Sequence, residues 1–472
     1  MDFPIFHLDF LGNRLLIAII AIIHVIMSHT MAVGGIPLIT FLEWKSYKTK
    51  DKRWSELAYR ILFVFFLFTT SLGAMTGVGI WFSTSLVNPS AIGSLIRVFF
   101  WAWYVEWWAF VSEVVLILCY YLTWKKWDNP QNKLRHIKLG LYLSIASWIT
   151  MMIIVAILAY MMDTGSWQGT RSFWDAVFNP VYLPQLAFRT AWGMFLAGCA
   201  ALCVTSFIKS FDKDFFEASL KTITHWILGW LPVVAIASYW YWSVVPKLMK
   251  SNVPSALTTQ AFQHWYGNVL LYTVIGVGII VVIAFAIWNK STRHYIKRPV
   301  MLIPYLIGLC LIGEFERVRE FIRKPYAIAN YLYANTVREE DLPLLTNEGM
   351  LKYANFARIR KITPDNQIEA GKEVFKIACT RCHTVSEHGV NSIQDRLQSM
   401  FGNRVLDSEY KESLHYYILN IHLARPYMPP FPGTSEEARA LTEYLATLKR
   451  NGETLAGDQA QGTKVKTDTF EE

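Results

Sequence analysis

Eight apolar runs limit what this chain can fold into. They lie near residues 14–43, 58–83, 95–124, 137–162, 182–208, 224–246, 259–289 and 299–322. A helix that crosses a bilayer needs about 20 predominantly apolar residues, and its backbone polar groups must pair within the segment. Each run meets that length, and several exceed it, which implies tilt or extension past the hydrocarbon. The expected class is all-α: a polytopic transmembrane bundle of about eight helices over residues 1–330. The first run is too long for a cleaved signal peptide, and no basic segment precedes it. Charged residues make up 17% of the chain, against roughly 25% in soluble domains.

The loops between runs alternate in charge. "WKSYKTKDKRW", "WKKWDNPQNKLRHIK", "IKSFDKDFFEASLK" and "NKSTRHYIKRP" are basic, whereas "STSLVNPSAIGS" and "DTGSWQGTRSFWDAVFNPVY" carry few Lys or Arg. The positive-inside rule puts the basic loops in the cytoplasm, and an even number of spans then puts both termini outside. The net charge of +9 is thereby assigned to cytoplasmic loops in contact with the bilayer, and no nucleic-acid partner is called for. The sequence has no Walker loop, no G-x-G-x-x-G and no repeat of 20–50 residues.

Beyond the last run the chain turns polar. Residues 331–366 read as a connector, 367–450 as a small soluble helical domain, and 451–472 as a disordered tail. Inside the small domain lies Cys379-Thr-Arg-Cys382-His383. C-x-x-C-H is the attachment pattern of one covalent haem c: two thiols add to the vinyl groups and the histidine ligates iron. "IEAGKEVFKIACTRCH" resembles the opening helix and haem turn of the class I cytochromes c. That family takes a second ligand, usually a Met, from a loop before its last helix. Met428 in "ARPYMPPFPG" fits, with Ser435 capping a final amphipathic helix. A thioether ligand favours ferrous iron and raises the potential. His388, His415 and His422 read as surface residues. Attachment of haem c outside the membrane agrees with the charge-derived topology. The expected location is the bacterial inner membrane, with the haem c domain on the periplasmic side.

Ionisable residues inside spans are costly and point to function. Run one holds His24 and His29, run three Glu106 and Glu113, run five Arg189, and run seven His264 near its outer end. Run eight ends in "GEFERVREFIRKPYAI", with Glu314, Glu316, Arg317, Arg319, Glu320 and Arg323. Most fall in the outer half of the membrane, with Glu113 deeper. Histidines can ligate iron, carboxylates can ligate it or carry protons, and arginines can clamp haem propionates. Cys119, Cys199, Cys203 and Cys310 lie in apolar segments and read as small packing residues.

These residues, taken in order, resemble subunit I of the cytochrome bd oxygen reductase family over about residues 10–330. The resemblance runs through Ile23-His24 and Glu43, Thr76-Gly77, Ala109-Phe-Val-Ser-Glu113, Asn179-Pro-Val, and Glu320-Phe-Ile-Arg323-Lys-Pro325-Tyr326. It implies haem b and/or haem d in the membrane part. It makes His24 the helix-one iron ligand, with His29 as the alternative, and Glu320 the carboxylate ligand of a second haem. It makes Glu106 and Glu113 the acidic pair of the proton route, and it implies a second membrane subunit.

The departures are equally informative. The family's fifth helix carries a His-Thr pair whose histidine ligates the low-spin haem reduced by quinol, and here the pair reads Arg189-Thr190. The opposing Met is missing, with His264 and Trp265 the nearest candidates. The quinol loop is reduced to "PKLMKSNVPSALTTQ", and a c-type domain replaces the ninth helix. The quinol inlet is therefore expected to be replaced by one that takes electrons from a periplasmic cytochrome c or another redox protein. The membrane part would then act as a bd-like oxygen reductase. The rival reading is an electron-transfer subunit of a larger respiratory complex, without an O₂ site of its own.

Overall fold

The computed structural model describes residues 1–258, 268–385, 389–402 and 407–448. His264, Trp265, His388 and the tail from 451 lie outside the described residues. The chain divides into two compact units, Leu16–Thr336 and Met1–Leu15 with Val337–Glu472.

The first unit is built on eight helices long and apolar enough to cross a membrane, among the described residues. They are α1 (Asn13–Thr49), α2 (Lys52–Val87), α3 (Phe100–Trp127), α4 (Lys133–Met162), α5 (Tyr182–Phe207), α6 (Lys213–Val244), α7 (Leu270–Trp288) and α8 (Arg298–Ile322). Several begin before their apolar runs. Asp51 accepts the Arg53 N–H at the start of α2, and Asp212 accepts that of Phe215 at the start of α6. Such caps satisfy N–H groups that the helix leaves open, so the first turns extend out of the hydrocarbon.

α5 is the central helix: 67% of its most apolar window is buried, against 11% for α3. Its small residues explain this. A Cβ on Gly34 of α1 would stand 2.1 Å from the Gly193 carbonyl oxygen of α5. Only glycine permits that backbone approach, the usual device for close packing in lipid. The crossing brings the middle of α1 onto α5. On either side of it, α1 and α2 contain π-helical segments, Ile26–Val33 and Thr69–Gly73. π turns re-aim side chains and recur at functional positions.

After α8 a short hairpin pairs β1 (Tyr326–Ile328) with β2 (Leu332–Tyr333). It is tied to α4 through the Ala329 N–H and the Met161 carbonyl. Ile328 and Leu332 pack with Phe99, Tyr160 and Trp167.

The second unit holds α9 (Gln367–Ala378), α10 (Ile393–Phe401), α11 (Ser408–Leu419) and α12 (Ser435–Leu448). Phe3 and Ile5 enter its core beside Leu351, Val374 and Leu441. The N-terminal residues thus group with this unit, and the membrane unit starts at Leu16 rather than at residue 1. The cap of α12 is Thr434 rather than Ser435. The Thr434 hydroxyl accepts from Glu437 N, and the Glu437 carboxylate accepts from Thr434 N, a reciprocal capping box. Buried Glu437 also accepts from Met350 N at 2.9 Å and Leu351 N at 2.8 Å, fastening the connector to α12.

Candidate haem sites

In the second unit, α9 delivers the C-x-x-C-H turn. Cys379 N donates to the Phe375 carbonyl, and the N–H groups of Cys382 and His383 donate to the Cys379 carbonyl. The turn therefore curls both thiols and the imidazole around one end of the helix. The thiols are not bridged to each other. Burial, with Cys382 alongside, pushes the Cys379 thiol up to about 12. His383 Nδ1 donates to the Asn391 carbonyl at 2.9 Å. A carbonyl cannot donate, so the proton sits on Nδ1 and the lone pair on Nε2, which is the tautomer an iron ligand needs. Met428 is half-buried in its proline-rich loop. The loop is pinned at that residue: Met428 N donates to the Arg425 carbonyl, and His422 Nδ1 donates to the Met428 carbonyl at 2.6 Å. These donor types fit a covalently attached haem.

Two of the supposed surface histidines are thus placed differently. His422 is half-buried on the Met428 loop, and His415 is buried with Nε2 3.2 Å from the Ser435 hydroxyl. Each lies on the inward side of its helix, where the polarity of histidine alone suggests exposure.

In the membrane unit, His24 points from α1 to α2. Its Nδ1 donates to the Gly73 carbonyl at 3.1 Å, next to the Thr76 hydroxyl. The π segment ending at Gly73 presents this carbonyl. A Cβ on Gly77 would come within 3.1 Å of the His24 ring, so Thr76-Gly77 is the seat of that imidazole. With the proton on Nδ1, Nε2 keeps its lone pair, which suits an iron ligand.

His29 is engaged otherwise. Arg189 donates one N–H to His29 Nε2 at 3.1 Å and another to Glu316 Oε1 at 2.8 Å. Arg319 takes Glu316 Oε2 at 2.8 Å. The position at which the resembled family carries a histidine is thus the centre of a buried ion network joining α1, α5 and α8. A guanidinium has no lone pair to offer iron. Glu320 lies half-buried in the last turn of α8, and Arg323 donates to the Ala327 carbonyl at 2.9 Å.

Glu113 of α3 accepts from the Ser147 hydroxyl of α4 at 2.6 Å. Glu106 stands two turns along the same face, about 10 Å away at 1.5 Å per residue. Toward the basic ends of these helices lies a second buried network, not anticipated from sequence apart from Glu43. Fully buried Glu43 accepts from Tyr120 OH at 2.8 Å and meets His136 Nδ1 at 2.6 Å and Lys133 Nζ at 3.1 Å. Lys133 also reaches Asp128 at 2.6 Å. A carboxylate inside an apolar run requires buried cations nearby, and that was the available signal. His136 and Lys133 read instead as part of a basic loop.

The fold and sites together define a multi-pass helical membrane protein carrying a c-type haem unit. The family model for cytochrome bd terminal oxidase subunit I matches residues 13–248, half of the chain, and the chain belongs to that family. The model described as cytochrome C oxidase, cbb3-type, subunit III matches residues 366–445. A solved structure, the bd oxidase from Geobacillus thermodenitrificans, superposes with a TM-score of 0.55 at 16% identity, covering 66% of this chain and 87% of that one. That likeness shows the fold. No curated protein matches the chain. The two family models support a haem-dependent respiratory electron-transfer protein of the membrane; a cytochrome c domain implies haem c, and the bd family implies haem b/d.

Proposed function

We propose that this chain is the oxygen-reducing subunit of a bd-like terminal oxidase whose electron inlet is its own c-type haem. The observation that carries the reading is Arg189. Where the resembled family places a low-spin haem ligand for quinol oxidation, this chain has a guanidinium tied to His29 and Glu316. A covalent haem motif stands in the same polypeptide. Cys379, Cys382, His383 and Met428 hold haem c. His24 and Glu320 hold haem b and/or d, and Glu106 and Glu113 move protons. The bound haems supply the one-electron chemistry that links an external donor to O₂.

The residues prepare that chemistry. His383 and His24 are each locked in one tautomer by a backbone carbonyl, and the Ser147 hydroxyl orients Glu113. The donor is a periplasmic cytochrome c or another redox protein. The charge pattern of the loops supports placing the c-type unit and both termini on the periplasmic side of the inner membrane. A second membrane subunit completes the complex. Trp101, Tyr104, Trp107 and Trp108 give α3 a bare aromatic face, suited to lipid or to that subunit.

The test is stopped-flow reduction of the purified protein. Reduced cytochrome c should outpace quinol by orders of magnitude. Fast reduction by quinol, unchanged when Met428 is replaced, refutes the reading. Carbon monoxide added to the reduced protein separates the rival: an open ferrous haem binds it, and a six-coordinate electron-transfer subunit does not.

A further inference from the structure

The ion network around Arg189 places two guanidiniums on one carboxylate. Both oxygens of Glu316 are taken by guanidiniums, Oε1 by Arg189 and Oε2 by Arg319. His29 accepts from Arg189 through Nε2, so its ring is neutral and adds no charge. Two guanidiniums therefore hydrogen-bond to one carboxylate, and Glu320 adds a second negative charge beside Arg319.

The donors around the network are also incompletely used. Gln185, Arg189 and Trp192 recur at i, i+4 and i+7 on α5, one stripe of the helix. Gln185 is 0% exposed. Its two amide atoms, Arg189 Nε and Trp192 Nε1 have no protein partner among the described residues. The same holds for one terminal N–H group of Arg319 and for the Thr30 hydroxyl of α1. Buried polar groups in folded proteins are nearly always paired. Unused N–H donors beside two guanidiniums are what a buried carboxylate ligand would satisfy.

We propose that Arg189, Arg319, Gln185 and Trp192 form a carboxylate site for a propionate of the membrane haem held through His24. His24 stands five residues from His29 on α1, about 7 Å along the axis, within the span of one porphyrin. The proposal rests on the assignment of His24, and the experiment separates the two. The guanidinium at position 189 then has two tasks. It closes off the iron-ligand position, and it raises the potential of the neighbouring haem by holding positive charge beside it.

The measurement is redox titration and haem quantitation on the full chain, with haem c as internal standard. His24→Ala should lose the haem itself. Arg189→Gln and Arg319→Gln should keep it but lower its midpoint potential, and Arg189→Lys should recover part of the shift. Gln185→Leu changes no charge. It should shift the propionate carboxylate bands in redox-difference infrared spectra, identified with carbon-13-labelled haem. Full membrane haem with unchanged potentials in Arg189→Gln, or unchanged propionate bands in Gln185→Leu, overturns the proposal. So does a wild-type potential that tracks chloride concentration, since the anion would then be chloride. If Arg189→Gln fails to assemble, the neutral Gln185→Leu variant still decides the matter.

Discussion

Replacing His422 by alanine tests how the second ligand of haem c is held. The imidazole Nδ1 donates to the Met428 carbonyl at 2.6 Å, so it fixes the backbone of the residue whose sulfur is to meet iron. The carbonyl is on a half-buried loop, and water can partly replace the lost donor. The cost is then that of a net neutral hydrogen bond, about 0.5–1.5 kcal/mol. At 1.4 kcal/mol per factor of ten, the ratio of Met-bound to Met-free haem falls roughly two- to twelvefold. Because thioether ligation raises the potential, the midpoint of haem c should fall as well. The assay follows the far-red charge-transfer band of the Met-ligated ferric protein during heating. His422→Ala should lose the band at a lower temperature than the wild type. His422→Gln, which keeps an N–H donor, should fall between them. An identical melting profile and midpoint in His422→Ala would show that the loop is held without His422, and the positioning argument would be wrong.

Three further outcomes are expected. Cys379→Ala or Cys382→Ala should abolish the normal covalent haem band on a denaturing gel while membrane haem spectra persist; an unchanged band would contradict the attachment site. Glu113→Gln removes a titratable group without removing an iron ligand, so it should keep all haems and slow O₂-linked turnover at least tenfold. Turnover at the wild-type rate would take Glu113 out of the proton route. Glu437→Ala strands three backbone N–H donors, those of Met350, Leu351 and Thr434. At about 1–3 kcal/mol per stranded group, partly recovered by water, the haem c unit should lose roughly 3–5 kcal/mol. Glu437→Gln should lose less, and chemical denaturation followed at the haem c band measures both.

What sequence made legible divides along physical lines. The eight spans were readable because hydrocarbon imposes a length and a composition that no other environment demands. The C-x-x-C-H turn was readable because its chemistry is local, with three donors within five residues. Buried polar pairs were not, because each partner comes from a different helix. His136 stands in "NKLRHIK", which reads as a cytoplasmic loop, yet α4 already starts at Lys133 and carries His136 inward to Glu43. His422 and His415 sit in a polar stretch, and only the fold turns them toward Met428 and Ser435. Phe3 and Ile5 precede the first span, so nothing local links them to a core whose other members begin at Val337.

Arg189 is where the two levels meet. Sequence marks a departure there, an arginine where the resembled family has a histidine, but gives no reason for tolerating a permanent cation within a span. The structure supplies one. Gly34 and Gly193 bring α1 onto α5 at backbone distance, which sets His29 against Arg189, and α8 brings Glu316 to its other side. The exchange of an imidazole for a guanidinium is therefore not a single-site event. Arginine cannot shed its proton and needs the carboxylate of Glu316. Arg319 adds a second guanidinium on the other oxygen of the same carboxylate. Positions 189, 316 and 319 form one electrostatic unit. Changing residue 189 alone to histidine would leave Glu316 and Arg319 as a buried ion pair beside it.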